Sequence, residues 1–311
     1  MKLRHVVLVV LKISITGWLF WYLIGKIDFQ SVTLQLRSMQ PLWATAAIAT
    51  LLAQLLLTGI RWYFVGQLVG AQLALPQALR LVLIGQFFNQ LLPSSIGGDA
   101  VRAWIATREG IPLGRVAVSI FCDRAAGMVV VVLFVSMSLL LLPMVWKADI
   151  LAAGGFVNFL AAFTVVGLLV LLLRGVKVAE LMMEFHLSRP FGVLIRDTRI
   201  VLFTNIKSLQ IVGLSTVVQV LMVLVVYFFA KGINADLGFA YGLVLIPMIM
   251  LVSMIPVSFA GWGLRESAMV IGLGFVGISA VDALAISVSF GLAQIAIGLP
   301  GGIFWLLRRR L

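Results

Sequence analysis

The chain has 311 residues, of which 62% are hydrophobic and 11% are charged, and its formal net charge is +12 at pH 7. Soluble domains carry about 25% charged residues, so this composition predicts a polytopic membrane protein with one membrane domain over residues 1–311. No polar stretch approaches the roughly 100 residues of a separate soluble domain, so any chemistry should occur in or at the bilayer. The basic residues are scattered among apolar runs, as topology signals are, which argues against a nucleic-acid partner.

The reactive side chains are too few for most kinds of catalysis. Cys122 is the single cysteine, which excludes an intrachain disulfide and two-cysteine redox chemistry. His5 and His186 have no metal-binding pattern around them. No nucleophile with a base and no phosphate-binding loop followed by lysine is recognisable. We therefore expect no catalytic residues, no metal and no cofactor, and a protein that is not an enzyme.

Six stretches reach the roughly 20 apolar residues that a spanning helix needs. The first follows a basic start like that of a signal peptide. However, Lys12 interrupts it and no small-x-small cleavage site follows, so we expect a retained span. The predicted spans are about 5–25, 42–66, 115–142, 151–173, 208–231 and 281–306.

Two further apolar stretches, 77–106 and 241–275, are broken near the middle by proline and glycine. Each is either one kinked span or two short half-helices that form a re-entrant hairpin. The residues expected to shape the breaks are Pro93, Gly97 and Gly98 in the first stretch and Pro256, Gly261 and Gly263 in the second.

The distribution of basic residues favours the hairpin alternative. The loop 174–207 and the C-terminal tail are both rich in basic residues, as cytoplasmic segments are. Two predicted spans and the second broken stretch separate them, so both are cytoplasmic only if that stretch returns to its own side. The same count toward the N-terminus favours a re-entrant first stretch. The sequence thus predicts an all-α membrane protein with six spans, two re-entrant hairpins and both termini in the cytoplasm.

The two broken stretches share the pattern P-x-S-x-x-G-x-x-x-R at a shift of 163 residues. Such a short match can arise by chance, but the shift is close to half the chain. Three predicted spans separate the hairpins, so they would enter from opposite faces. That is the arrangement of an inverted repeat with a substrate site near the midplane, its halves covering about 42–142 and 208–306. The matching pairs are Pro93 with Pro256, Ser95 with Ser258, Gly98 with Gly261, and Arg102 with Arg265.

The first hairpin has the composition of an anion site. Pro93 ends the first half-helix because it removes a backbone donor, and the glycine pair permits a tight return. Arg102 lies a turn or so into the second half-helix, whose N-terminus carries partial positive charge. Alternatively, Arg102 simply pairs with Asp99 three residues earlier. Three residues are candidate caps of this half-helix: Ser94, Ser95 and Asp99.

Further polar side chains fall within apolar runs. Asp123 and Arg124 are costly near the centre of a span unless they are paired or wetted. They either pair structurally with the hairpin or take part in transport. Arg61 is interpreted as an interface anchor or a secondary site residue. The carboxylates of Asp99, Asp123 and Glu266 could also carry protons or cations. A polar stripe precedes the first break, formed by Gln86, Asn89 and Gln90.

Three blocks resemble the membrane region of the lysylphosphatidylglycerol synthase family, the flippase-like region found in the multiple peptide resistance factor. They are LPSSIGGDAVRAW, CDRAAGM and IPVSFAGWGLRESAMV. The resemblance implies movement of a lipid between leaflets of the inner membrane. With the serines of the shared pattern, the candidate substrate-binding residues are Ser95, Asp99, Arg102, Asp123, Arg124, Ser258, Arg265 and Glu266.

Only part of what the resemblance implies is expected of this chain. Two-part members of the family have a soluble aminoacyl-transferase domain. This chain ends just after its last predicted span, so we do not expect lipid synthesis. The last predicted span offers Ser287, Ser289 and Gln294, but no charge that matches Asp123 with Arg124.

The sequence therefore favours a lipid flippase or scramblase whose partners are membrane lipids, with anionic phospholipid as the favoured substrate. Two alternatives stay open. One is a non-transporting scaffold for a partner lipid-modifying enzyme, and the other is a lipid-linked transferase. Direction, energy coupling and oligomeric state do not follow from the residues.

Overall fold

The computed structural model describes residues 27–92, 97–145, 189–255, 258 and 261–308, together with 14, 16–18, 25 and 174. Regular structure in these residues is helical, as predicted. The predicted span 151–173, most of 5–25, and Pro93, Ser94, Ser95 and Pro256 lie outside the described residues. The described helices are α1 (Phe29–Arg37), α2 (Pro41–Val69), α3 (Leu75–Leu91), α4 (Gly97–Arg108), α5 (Leu113–Val145), α6 (Arg189–Phe203), α7 (Ile206–Gly232), α8 (Phe239–Ser253), α9 (Leu264–Gly274) and α10 (Ala280–Arg308).

Four of these helices are long and apolar enough to cross a membrane: α2, α5 over Leu113–Met137, α7, and α10 over Ala280–Leu307. They coincide with four of the six predicted spans. Large apolar side chains such as Leu52, Leu209 and Leu292 are exposed on their surfaces. This is expected where the surrounding solvent is hydrocarbon, because lipid tails are as apolar as leucine.

Both broken stretches consist of two short helices, which confirms the predicted breaks. In the first, α3 has 17 residues and α4 has 12. In the second, α8 has 15 residues and α9 has 11. None reaches the roughly 20 residues of a full span.

The α4 helix runs back along α3. A Cβ atom on Gly98 would meet the carbonyl oxygen of Gly85, so the close approach of the two backbones requires glycine. Contacts between the helices continue to their far ends. From the break outward, Gly98 N–H donates to Asn89 Oδ1 (2.9 Å), the Arg102 side chain covers Gly85, and Gln77 Nε2 donates to Glu109 Oε2 (2.7 Å).

The second broken stretch also folds back on itself, because α9 packs against α8 and Ile249 lies against Gly272. The return passes through Gly261 and Gly263, whose φ angles are +81° and +86°. These values lie in the left-handed region, which glycine adopts without steric cost. Both glycines therefore lie in the return with the φ angles that favour glycine.

The described residues form two compact units. The first contains those up to Leu55, Arg80–Arg102, and those from Val220 onward. Within it, α10 contacts both α1 and α9.

Within the first unit, α3 also packs closely on α10. A Cβ atom on Gly301 would meet the carbonyl oxygen of Leu83, and one on Gly298 would lie 3.3 Å from Phe87 Cα. Gly302 leaves room for the Phe87 ring in the same way. The glycines near the end of the chain therefore serve helix packing, as small residues do between membrane helices.

The second unit contains Leu56–Leu79 and the described residues from Ala103 to Gln219. In this unit α5 packs against α6. The buried indole of Trp62 donates to Ser119 Oγ at 3.1 Å, which joins α2 to α5.

Candidate functional site

Arg102 and Asp99 form a buried ion pair near the start of α4. Arg102 Nη2 lies 2.5 Å from Asp99 Oδ1, and only 4% of the Arg102 residue is exposed. The two residues are three apart on one helix, a spacing that brings side chains together. Asn89 on α3 accepts from the Gly98 N–H at the same helix start. It thereby acts as a cap supplied by the facing helix, in addition to the caps considered from the sequence.

Arg265 and Glu266 form the corresponding pair at the start of α9. Arg265 Nη2 lies 2.6 Å from Glu266 Oε1, and Glu266 is 0% exposed. The Ser287 hydroxyl on α10 donates to Glu266 Oε1 and accepts from Arg265 Nε, at 3.1 and 3.3 Å. The other carboxylate oxygen, Oε2, accepts from the Gly263 N–H at 2.6 Å. One carboxylate therefore both neutralises the arginine and caps the helix.

The Arg265 guanidinium also lies near two aromatic rings. Its Cζ atom is 4.7 Å from the centre of the Trp262 ring and 5.4 Å from that of Phe290. Gly291 on α10 leaves room for this arrangement, because a Cβ atom there would lie 2.5 Å from Arg265 Nη2. Cation–π contacts strengthen when the cation is desolvated, so Arg265 is held by rings as well as by charge.

A third buried pair lies in the second unit. Arg61 Nε donates to Asp123 Oδ1 at 2.8 Å and Nη2 donates to Oδ2 at 3.3 Å, so the contact is bidentate. Arg61 Nη1 also donates to Ser215 Oγ at 3.2 Å. The cluster thus joins α2, α5 and α7, three of the four candidate spans. Arg61 is buried, contrary to the interpretation of it as an interface anchor, and Asp123 pairs with this span residue rather than with a hairpin.

The remaining predicted site residues lie in different surroundings. Ser258 is buried in the second break, and its hydroxyl has no hydrogen-bond partner within the part of the chain that the structure describes. Arg124 is exposed on α5. Gln90 is half-buried. Gln86 hydrogen-bonds to the Gln294 side chain of α10, whereas Asn89 of the same predicted polar stripe contacts Gly98 of α4.

Sequence reasoning missed several contributors to these clusters. Ser215 gave only the weak signal of one hydroxyl in an apolar run. Trp262 and Phe290 are aromatic residues in a chain with 10% aromatics, so nothing in the pattern distinguishes them. Ser287 and Gln294 were visible as polar residues of the last predicted span, but their partners were not.

The three ion pairs constrain the chemistry. A charged side chain at the centre of a spanning helix costs about 2.5–3.5 kcal/mol on insertion scales, and each pair offsets part of this cost by mutual attraction. The two pairs of the first unit lie at helix N-termini, where free N–H groups favour anions. A phosphodiester carries the same single negative charge as a carboxylate, so such a site is suited to exchanging one for the other.

Over the residues that the structure describes, these features define a helical polytopic membrane protein that buries ion pairs, two of them at the starts of short helices. The family model described as Lysylphosphatidylglycerol synthase TM region matches residues 9–302, nearly the whole chain. The chain therefore belongs to that family, in agreement with the resemblance of its three sequence blocks. None of the curated proteins compared with the chain matches it.

Proposed function

We propose that this protein is a flippase- or scramblase-like transporter that moves an anionic phospholipid or a related lipid between membrane leaflets. One observation carries the proposal. Each broken stretch buries an arginine beside the start of its second helix, Arg102 with Asp99 and Arg265 with Glu266. Buried charges are expensive in an apolar environment, so two arginines placed beside helix N-termini favour an anion-binding role in addition to a structural one.

The proposed architecture has six spans and two re-entrant hairpins, with 77–106 and 241–275 as the hairpins. The antiparallel course of α4 along α3, which reaches the Gln77–Glu109 contact, supports a return to the side of entry. The packing of α9 on α8 supports the same for the second. We place the protein in the inner membrane with both termini and the loop 174–207 in the cytoplasm, because basic residues concentrate there. The halves 42–142 and 208–306 would form an inverted repeat.

In the proposed mechanism a lipid phosphate takes the place of a carboxylate on each arginine in turn. Arg102 and Arg265 bind the phosphate, and Asp99 and Glu266 hold the guanidinium groups when no head group is present. The Ser258 hydroxyl is available for a lipid oxygen. No covalent bond forms or breaks, so the process needs no catalytic group or cofactor. Three predicted substrate-binding residues stay secondary in this scheme: Ser95, Asp123 and Arg124.

The test is lipid translocation in vesicles that contain the purified protein. Labelled anionic and zwitterionic phospholipids are compared for the wild type and for the variant Arg102→Gln/Arg265→Gln. Arg108→Gln is the matched control, because Arg108 lies on the same α4 helix but is exposed. We expect translocation by the wild type and the control, and a loss of at least about tenfold in the double variant, since one charge-assisted hydrogen bond contributes about 1.5–3 kcal/mol.

Two results would count against the proposal. If a folded wild type moves none of the lipids tested, a scaffold for a partner lipid-modifying enzyme becomes the better account. If the double variant transports as well as the wild type, lipid moves by a route that does not use the hairpin arginines.

A further inference from the structure

Two carboxamide side chains meet where α3 packs on α10. Gln86 Nε2 donates to the side-chain carbonyl of Gln294, and lies 3.4 Å from the Gln294 backbone oxygen. Both side chains are half-buried, so part of each is accessible from outside the packed helices. Gln294 is the middle residue of α10 (Ala280–Arg308), so this contact lies about halfway along a candidate span. Polar side chains at that depth are costly and often mark a polar pathway.

The residues that make this contact lie close, along α10 and α3, to residues that touch the two hairpin arginines. On α10, the contacts of Arg265 with Ser287 and Gly291 come just before Gln294, on the same face of the helix. On α3, the Arg102 side chain covers Gly85, which lies about 1.5 Å from Gln86 along the helix axis and so at nearly the same level. A head group that moves between Arg265 and Arg102 along α10 and α3 would therefore come to the two carboxamides.

We propose that Gln86 and Gln294 are specificity-determining residues, which select lipids whose head groups carry hydrogen-bonding groups beyond the phosphate. This inference rests on the proposed transport function. A passing head group separates the two carboxamides and has to replace the hydrogen bond that they make with each other. A hydroxyl can do so, because it donates to a carboxamide oxygen and accepts from a carboxamide N–H.

The chemistry predicts which lipids are rejected. A head group with only an alkyl end beyond the phosphate leaves a donor and an acceptor unpaired in a low-dielectric environment. Sites built to hydrogen-bond a substrate hydroxyl discriminate strongly against analogues that lack it, because the buried polar groups are then left without partners. The arginines provide attraction to the phosphate of either kind of lipid, and the carboxamides distinguish between them.

The experiment compares labelled phosphatidylglycerol with phosphatidylmethanol, in the vesicle assay. Both lipids carry a single negative charge, and they differ in the hydroxyl groups of the head. We expect the wild type to move phosphatidylglycerol at least about tenfold faster, and Gln86→Leu/Gln294→Leu to bring the ratio close to one by admitting phosphatidylmethanol. Arg102→Gln/Arg265→Gln should slow both lipids and leave the ratio unchanged.

Gln77→Leu is the matched control. It removes another α3 carboxamide, one that hydrogen-bonds to Glu109 at the far end of the first hairpin, and it should keep the wild-type ratio. If the ratio of phosphatidylglycerol to phosphatidylmethanol transport is the same in the wild type and in Gln86→Leu/Gln294→Leu, the inference is overturned and the transport function stands. A wild type that moves neither lipid overturns the proposed function, and the inference falls with it.

A second variant tests whether transport requires positions 86 and 294 to move apart. Cys122 is the only native cysteine, so Gln86→Cys/Gln294→Cys can be made in a Cys122→Ala background and bridged by a short thiol-reactive crosslinker that reduction removes. Bridging should stop transport of both lipids, and reduction should restore it. The same bridge across Gln77→Cys/Glu109→Cys should leave transport unchanged. Full transport with the 86–294 bridge closed contradicts the inference.

Discussion

The two hairpins solve one physical problem with different residues. Both bury an arginine and expose the N–H groups of a new helix within an apolar environment. In the first, Asp99 pairs with Arg102 while Asn89 on the facing helix accepts from Gly98 N–H. In the second, the Glu266 carboxylate pairs with Arg265 and also caps its own helix at Gly263.

Pairing with the arginine and capping the helix are therefore done by two residues in the first hairpin and by a single residue in the second. In the first hairpin the carboxylate can leave the arginine without uncapping the helix. In the second, moving Glu266 would expose the helix N-terminus and disturb Ser287 as well. We infer that the two shared-pattern arginines are equivalent in sequence but not in how rigidly their surroundings fix them.

The largest expected effect is the loss of Glu266. Glu266→Ala leaves Arg265 without its carboxylate and Gly263 without its cap, and removing one partner of a buried pair costs about 3–5 kcal/mol. Asp99→Ala should cost about 1 kcal/mol less, because Asn89 still caps the helix. Unfolding of the purified variants in detergent measures both. Equal losses would mean that the double role of Glu266 does not contribute to stability.

The next largest difference in stability is expected between alanine substitutions at two α10 glycines, one beside each hairpin. A Cβ atom on Gly301 meets the backbone of Leu83, whereas one on Gly291 meets side-chain atoms of Arg265 and Trp262. Side chains can move and backbone cannot, so Gly301→Ala should destabilise by about 1–3 kcal/mol and Gly291→Ala by less.

The same unfolding assay checks the glycine prediction, with Gly213→Ala as control. Gly213 lies in α7, and a Cβ atom there would meet nothing within 4 Å, so alanine at this position should be neutral or slightly stabilising. A Gly301→Ala protein as stable as the control would contradict the close packing of α3 on α10.

A smaller difference is expected when lysine replaces each arginine. Arg265 donates from both Nε and Nη2 and lies near two rings, and lysine reproduces neither the fork nor the planar surface. Arg265→Lys should therefore reduce lipid translocation several-fold more than Arg102→Lys. If Arg102→Lys reduces translocation more than Arg265→Lys does, then the arginine with more contacts is not the one that lysine replaces less well.

The smallest effect is expected from the cap that crosses the first hairpin. Asn89→Ala removes the acceptor for Gly98 N–H and should cost about 1 kcal/mol of stability, since caps contribute about that much. Asn89→Asp retains an acceptor and should restore most of the loss. Unfolding curves measure the stability of both variants; identical losses would show that the acceptor at position 89 does not contribute to stability.

Much of this arrangement was predictable from local sequence signals. Proline and glycine in apolar stretches predicted the two breaks, because these residues end helices and permit unusual φ angles. The length of the apolar runs predicted four helices that the structure describes. The arginines stood out because charges are rare in such runs.

The pairings were harder to predict, because they join distant parts of the chain. Asp123 has Arg124 beside it in sequence, yet its partner is Arg61 on another helix. Adjacent residues on a helix point in different directions, so sequence proximity was a poor guide there. The Gln86–Gln294 contact, between residues 208 positions apart, depends on the glycines that bring α3 and α10 together. No period or motif within either helix encodes that approach.

The most direct test of the central claim is photocrosslinking of an anionic phospholipid that carries a photoreactive group in its head, followed by mass-spectrometric mapping in vesicles. We predict adducts on α4 near Arg102 and on α9 near Arg265, which disappear in Arg102→Gln/Arg265→Gln and persist in Arg108→Gln. Adducts confined to the lipid-exposed surfaces of α2, α7 and α10, equal in all three proteins, would contradict a head-group path through the hairpins.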